Sequence, residues 1–302
     1  METLSEGRLG NGRFDHDDNR HGLAAKILQS RRVGKLLTAV LAGLLLPVCA
    51  EARVAKGQTG NFIATFGGDQ LVPGRLDPHV DYDINPDTAR FFIHVPTDYN
   101  SASQYGLIVW TDAAESINRV PAGWARVLDS RQFLFIAAEN AGNNHYNKRR
   151  LGLAVMAALE MTERYRIDGY RIYAAGYSGG ARISGMLGFY QPDVFDGTIQ
   201  SCGADFYKKV PTVNATNWIS TTGQPYGVLR ATQGEIARAR QVRFVLITGS
   251  NDFRHGNMLD IYNGGFAREG FHAKLFDVPG MGHDVAGPSI LSEALDFLAG
   301  GE

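Results

Sequence analysis

The segment Gly176-Tyr177-Ser178-Gly179-Gly180 fits the pattern G-x-S-x-G, in which a sharp turn presents a serine hydroxyl for nucleophilic attack. The pentapeptide alone carries little weight, because with 36 glycines in 302 residues chance supplies it in about one such chain in five. Its surroundings carry more. The apolar run Arg171 to Ala175 leads into the motif and a helix-like pattern, Ala181 to Tyr190, leads out of it. Small residues at 176 and 180 let the backbone turn without clashes. A serine hydroxyl needs a base within hydrogen-bond reach, and the base needs a carboxylate to fix its tautomer. Both follow downstream. Asp252 stands just past the apolar run Arg243 to Thr248, and His283, the last histidine of the chain, follows the run Ala273 to Val278. Each falls on a loop at the carboxyl end of an expected strand, where reacting groups collect in parallel sheets.

Other residues compete for these roles. Asp284 adjoins His283, but adjacent side chains seldom face one imidazole together, so Asp252 is the expected acid and Asp205, after the preceding apolar segment, the reserve. His255 lies three residues past Asp252, yet no zinc-type spacing accompanies it and no metal is expected. The run Asp81-Tyr82-Asp83-Ile84-Asn85-Pro86-Asp87 begins like a calcium loop. Pro86 stands where glycine is needed and Phe92 where glutamate is needed, so a solvated turn is expected there. His145, in Ala141-Gly142-Asn143-Asn144-His145-Tyr146-Asn147, belongs to a polar loop past a strand end and reads as a surface histidine.

The elements that must position these groups alternate. Leu107 to Trp110, Phe133 to Ile136, Arg171 to Ala174 and Phe244 to Ile247 are short apolar runs of the kind buried on both faces of a parallel sheet. Helical spacing runs over Leu151 to Tyr165, Ala181 to Tyr190 and Ile290 to Leu298. Alternation of this kind predicts an α/β class, a mostly parallel central sheet flanked by helices. Phe62 to Phe66 and Phe91 to Val95 have no helix between them and predict an antiparallel pair at the N-terminal edge. The segment 206–241 lacks a clear period and carries Tyr207, Trp218 and Tyr226, so it reads either as a cap over a pocket or as a surface excursion packed down by its own aromatics.

At this point a resemblance can be stated. Tyr165-Arg166-Ile167-Asp168-Gly169-Tyr170-Arg171-Ile172-Tyr173, leading into the serine motif, resembles the polyhydroxybutyrate-depolymerase and feruloyl-esterase-like branch of the α/β-hydrolases, over roughly residues 90 to 300. The resemblance implies the α/β-hydrolase fold, Ser178 as nucleophile, His283 as general base and acid, and Asp252 as the group orienting it. It also implies that the Gly179 N–H forms half of an oxyanion hole. Family members commonly place His-Gly after the strand that here ends at Trp110, whereas this chain has Thr111-Asp112-Ala113-Ala114. A main-chain N–H of Ala113 or Ala114 then serves as the second donor, with Ala114 preferred, and Asp112 opposes catalysis unless it points away or is paired. The expected activity is cleavage of carboxylic esters through an acyl-enzyme, with no cofactor and a small-molecule or oligomeric ester as partner. The alternatives are a peptidase or a polyester depolymerase with the same triad, or a non-catalytic binding protein on the same fold.

The N-terminal portion differs from the rest. Arg31, Arg32 and Lys35 precede the apolar run Leu36 to Val48, about a dozen residues and too short for a bilayer core that takes roughly 20. Ala50-Glu51-Ala52 supplies a small-x-small cleavage site, so residues 1–52 read as an N-terminal extension with a cleavable signal and 53–302 as the catalytic domain. Sec export is preferred over the twin-arginine route hinted at by Ser30-Arg31-Arg32, and a misplaced start codon is the third reading of residues 1–30. The expected location is periplasmic or secreted, with no stable membrane insertion after cleavage. Cys49 leaves with the signal and Cys202 then stands alone, expected as a buried strand-end thiol rather than a nucleophile. A net charge of -1 and no basic run longer than Lys148-Arg149-Arg150 exclude nucleic acid as an expected partner, and the sequence carries no sign of oligomeric state.

Overall fold

The computed structural model describes residues 54–67, 81–211, 213–214 and 231–301, so the expected signal segment, Trp218 and Tyr226 lie outside the described residues. In chain order the strands are β1 (Gly60–Thr65), β2 (Arg90–Val95), β3 (Tyr105–Thr111), β4 (Phe133–Ala138), β5 (Ile167–Tyr177), β6 (Gly197–Ser201), β7 (Arg243–Gly249) and β8 (Ala273–Val278). The helices are α1 (Trp124–Ser130), α2 (Asn147–Arg164), α3 (Gly179–Tyr190), α4 (Gln233–Ala239), α5 (His255–Ile261) and α6 (Pro288–Leu298). Among the described residues the strands form one sheet in the order β1-β2-β4-β3-β5-β6-β7-β8. β2 runs antiparallel to both of its neighbours, with Phe62 opposite Ile93, and every pairing from β4 onward is parallel. The expected antiparallel edge and parallel body are both present.

The apolar runs are continuous because both faces of the sheet are covered. Leu107, Val109, Leu134 and Ile136 turn to one face, where α2 and α3 contribute Leu153, Met156, Met161, Ile183 and Leu187. Ile108, Trp110, Phe133 and Phe135 turn to the other, against Trp124 and Leu128 of α1 and Leu291, Leu295 and Leu298 of α6. Two-residue alternation in the strands thus feeds two cores. Trp124 and Trp110 meet edge to face at 5.3 Å, and Trp124 Nε1 donates to the Ala286 carbonyl at 2.8 Å, tying α1 to the chain just past His283.

Phe206, Val210 and Ala239, from the described ends of the 206–241 segment, belong to the core, whereas Val213 is exposed. Phe206 is fully buried and, with Tyr207, packs on Phe189 and Phe271. The buried Asp260 carboxylate accepts the N–H groups of Val213 and Asn214, and Thr232 caps α4 in a reciprocal pair with Glu235. A π-helical turn, Tyr262–Ala267, continues α5 and carries Phe266 into the same aromatic cluster.

Asp196, just ahead of β6, links three strands through its main chain: its N–H donates to Ile172 and its carbonyl accepts from Arg243. Its side chain is less well served, since the buried Oδ2 has no hydrogen-bond partner among the described residues. Burial pushes the carboxyl up from 3.8 to about 6. The folded state therefore holds a proton that the unfolded chain has lost between those values, and the charged form costs stability above pH 6. Asp196→Asn is expected to raise the unfolding free energy by roughly 1–2 kcal/mol at about pH 8 and to leave it unchanged at about pH 4. Urea melts at the two pH values test this, and an equal gain at both would refute it.

Candidate active site

β5 ends at Tyr177 and α3 begins at Gly179, so Ser178 is the whole connection, at φ 54 and ψ −115. Positive φ on a residue with a side chain costs on the order of 1–3 kcal/mol and persists only where its surroundings enforce it. Here the Ser178 N–H donates to Ser201 of β6 at 2.8 Å. The turn closes so tightly that a Cβ on Gly176 would lie 2.5 Å from the Gly180 carbonyl carbon and 2.7 Å from the Thr111 oxygen. A Cβ on Gly180 would overlap that same Thr111 oxygen. The two flanking glycines are required by the approach of β3.

The three widely separated residues meet. His283 Nε2 is 3.0 Å from Ser178 Oγ, and His283 Nδ1 is 2.7 Å from Asp252 Oδ1. A carboxylate can only accept, so Nδ1 carries the proton and the Nε2 lone pair faces the hydroxyl. Asp252 is held from several sides: Oδ1 also accepts the Arg254 N–H at 2.9 Å and Oδ2 accepts the Thr248 hydroxyl at 3.0 Å. Its side chain is fully buried, whereas that of His283 is 20% exposed, enough to meet a substrate. Tyr177 donates its hydroxyl to the His283 carbonyl at 2.6 Å, and burial pushes that phenol up to about 12, keeping it a donor. Phe253, 52% exposed, lays its ring 4.2 Å from the His283 ring. Nothing in the spacing pointed to Phe253, although its place beside Asp252 was a signal.

The competing residues have other partners. Asp205 forms a bidentate pair with Arg182 at 3.1 Å, and Asp284 turns its carboxylate to the Val285 N–H. His255 binds Asp277 at 2.9 Å, and His145 sits 2.9 Å from Glu115. The 81–87 run folds into side-chain-capped turns, Asp81 accepting from the Asp83 N–H and Asn85 from the Asp87 N–H, with Arg149 near Asp83. Cys202 is buried one residue past β6, as expected, with Sγ 3.2 Å from the Asp284 carbonyl. Burial, with the Asp252 carboxylate close by, pushes this thiol far above its ordinary range. Among the described residues Cys202, Asp252 and His283 make the one trio of metal-ligating side chains, with ligand atoms within 4.8 Å of one another. Two of them already bond each other and the third is held protonated, which is poor chemistry for a metal.

On the opposite side of Ser178 the loops after β3 and β4 interlock. Asp112 accepts from Trp110 Nε1 through Oδ2 and from the Ala114 N–H through Oδ1, each at 2.9 Å, so both carboxylate oxygens are hydrogen-bonded within the loop. That bond commits the Ala114 N–H, the donor expected from sequence. Ala113 accepts the Asn143 N–H at 3.0 Å and Glu115 accepts that of Ala141 at 3.3 Å. Arg150, only 4% exposed, reaches from the first turn of α2 to both loops, donating to Ala141 O at 2.8 Å and Asp112 O at 2.9 Å. Burial and the neighbouring Arg182 pull this guanidinium down to about 10, a measure of how enclosed it is.

No protein-family description matches the chain. A ferulic acid esterase superposes with TM-score 0.54 at 17% identity, covering 80% of this chain and 97% of that one. The LpqC poly(3-hydroxybutyrate) depolymerase of Bordetella parapertussis superposes with TM-score 0.53 at 15% identity, covering 80% and 89%. The chain has the α/β-hydrolase fold, with the sheet order and helical layers described above. In sequence it is similar to the probable acetylxylan esterase A of Aspergillus flavus, 25% identical over 208 residues, 63% of this chain and 61% of that enzyme's length.

Removing the Arg150 guanidinium leaves two loop carbonyls without their donor. Arg150→Met is expected to lower the unfolding free energy by about 2–4 kcal/mol, while Lys148→Met, on the same turn, stays within about 0.5 kcal/mol. Paired denaturant melts decide it; equal effects would deny the clamp.

Proposed function

We propose that this chain is a serine esterase that cleaves carboxylic esters through an acyl-enzyme. The observation that carries the reading is the unbroken chain of contacts from Ser178 Oγ to His283 at 3.0 Å and from His283 to Asp252 at 2.7 Å, built on the strained turn between β5 and α3. Ser178 Oγ attacks the acyl carbon while His283 Nε2 takes its proton. The imidazolium is steadied by Asp252, which stays ionised. His283 then hands the proton to the departing alcohol oxygen, and a water repeats the sequence to free the acid and restore Ser178. Charge developing on the carbonyl oxygen meets the Gly179 N–H at the start of α3 and, with the Ala114 N–H committed to Asp112, the Ala113 N–H from the loop after β3.

An ester rather than a peptide bond is favoured by the relatives, an acetylxylan esterase in sequence and a ferulic acid esterase and a polyester depolymerase in fold. Residues 53–302 form the catalytic domain in this reading, and residues 1–52 direct export to the periplasm or beyond. No helix among the described residues is long and apolar enough to cross a membrane.

A p-nitrophenyl ester series of increasing acyl length, run on the chain from Arg53 onward, tests the reading. Ser178→Ala is expected to reduce turnover by about 10⁴-fold or more with an unchanged melting curve, and a fluorophosphonate to label the parent at Ser178 and spare the variant. A parent that binds no fluorophosphonate and turns over no ester would favour a binding protein on this fold.

A further inference from the structure

The loop after β4 carries a polar side chain that the reading above leaves without a task. Asn143 is exposed, but its main chain is fixed: its N–H donates to the Ala113 carbonyl at 3.0 Å. From that anchor the carboxamide reaches across to the first residue of α3. A Cβ placed on Gly179 would overlap Asn143 Oδ1 and lie 2.7 Å from its Cγ and 2.9 Å from its Nδ2. The carboxamide therefore fills the space where a Gly179 side chain would stand, with Oδ1 foremost, and it hangs from a loop tied to Ala113, so it lies beside the two main-chain segments assigned above to the oxyanion. A half-turn about its last torsion exchanges Oδ1 and Nδ2, which lets it present an N–H to a developing negative charge. The Ala114 N–H is bound to Asp112, so the main chain brings only the Gly179 and Ala113 N–H groups of the reading above, and the carboxamide adds a side-chain donor to them. The neighbourhood is also firmly built, since Gly142 packs on the Ala114 main chain and Arg150 holds the two loops together.

We propose that the Asn143 carboxamide is an oxyanion donor of this esterase, contributed from the loop after β4 and acting beside the Gly179 N–H. The inference rests on the Ser178 reading above. As the bond from Ser178 Oγ to the acyl carbon forms, the carbonyl π-electrons move onto oxygen, the serine proton passes to His283, and Asn143 Nδ2–H donates to that oxygen. A neutral ground-state carbonyl gains less from this bond than the oxyanion does, so the effect falls on kcat rather than on KM. The same site explains why residue 179 has no side chain: a methyl there would push the carboxamide out.

The experiment compares Asn143→Ala and the nearly isosteric Asn143→Asp with the parent, using p-nitrophenyl acetate turnover and the rate of fluorophosphonate labelling. Asn143→Ala is expected to lose about 100-fold in kcat with KM within twofold, and its labelling at Ser178 to slow in parallel. Asn143→Asp places a carboxylate against the oxyanion, so it is expected to lose more near pH 8. Its activity relative to the parent then rises as pH falls toward about 4, where that carboxylate takes up a proton. A kcat within threefold of the parent in Asn143→Ala, or a loss confined to KM, overturns the proposal while Ser178 remains labelled. A parent that neither labels nor turns over defeats the Ser178 reading itself, and this inference with it.

Discussion

Ser178 sits in a backbone conformation that a residue with a side chain adopts only under compulsion, and the architecture around it can be read as the source of that compulsion. The turn holds because β6 accepts its N–H, β3 presses the Thr111 carbonyl into the space of two absent side chains, and α3 is locked to the sheet by Ile183, Leu187 and Phe189. For all three to reach one residue, β5 must lie between β3 and β6, which is its place in the strand order. The sheet topology and the exposed hydroxyl are two aspects of one arrangement.

The groups around the hydroxyl come from separate loops, and those loops brace each other rather than standing alone. On one side the Asn251 N–H donates to the Met281 carbonyl and the Gly280 N–H to the Ser250 hydroxyl, so the segments carrying Asp252 and His283 are tied to each other. On the other side Arg150 and the Ala113–Asn143 bond do the same for the loops after β3 and β4. Dipoles fixed before a substrate arrives need no reorganisation when charge develops, which is the condition under which they stabilise a transition state. Arg150 has a particular fitness for this: a planar cation with donors in a fixed fork can hold two carbonyls at once, and lysine cannot reproduce the geometry.

Much of this was legible in the chain itself. Strands covered on both faces show as unbroken apolar runs, and that made β3, β4, β5 and β7 plain; the residues just past strand ends then gave Ser178, Asp252 and His283 in order. The short helices α1 and α5 were not legible, because seven residues are too few for a periodic signal to rise above noise. The basic triplet 148–150 gives no local sign of burial, yet α2 begins earlier than its apolar spacing indicated and its first turn carries Arg150 inside. Burial of a charge depends on carbonyls contributed by residues 112 and 141, and no local pattern announces it. The placement of Phe253 over His283 and of Asn143 against Gly179 is likewise long-range, decided by how loops from different strands lean on one another.

Two of the chain's three tryptophans stand in this framework. Trp110 is bonded to Asp112 in the loop beside Ser178, Trp124 to Ala286 just past His283, and the two indoles meet edge to face at 5.3 Å and 83°. Their strong far-ultraviolet transition dipoles lie close enough to couple, so an exciton couplet in the far-ultraviolet circular dichroism is expected from a pair bonded to both sides of the site. The molecule thus contains its own optical gauge, in which a displacement of either loop registers without any attached dye.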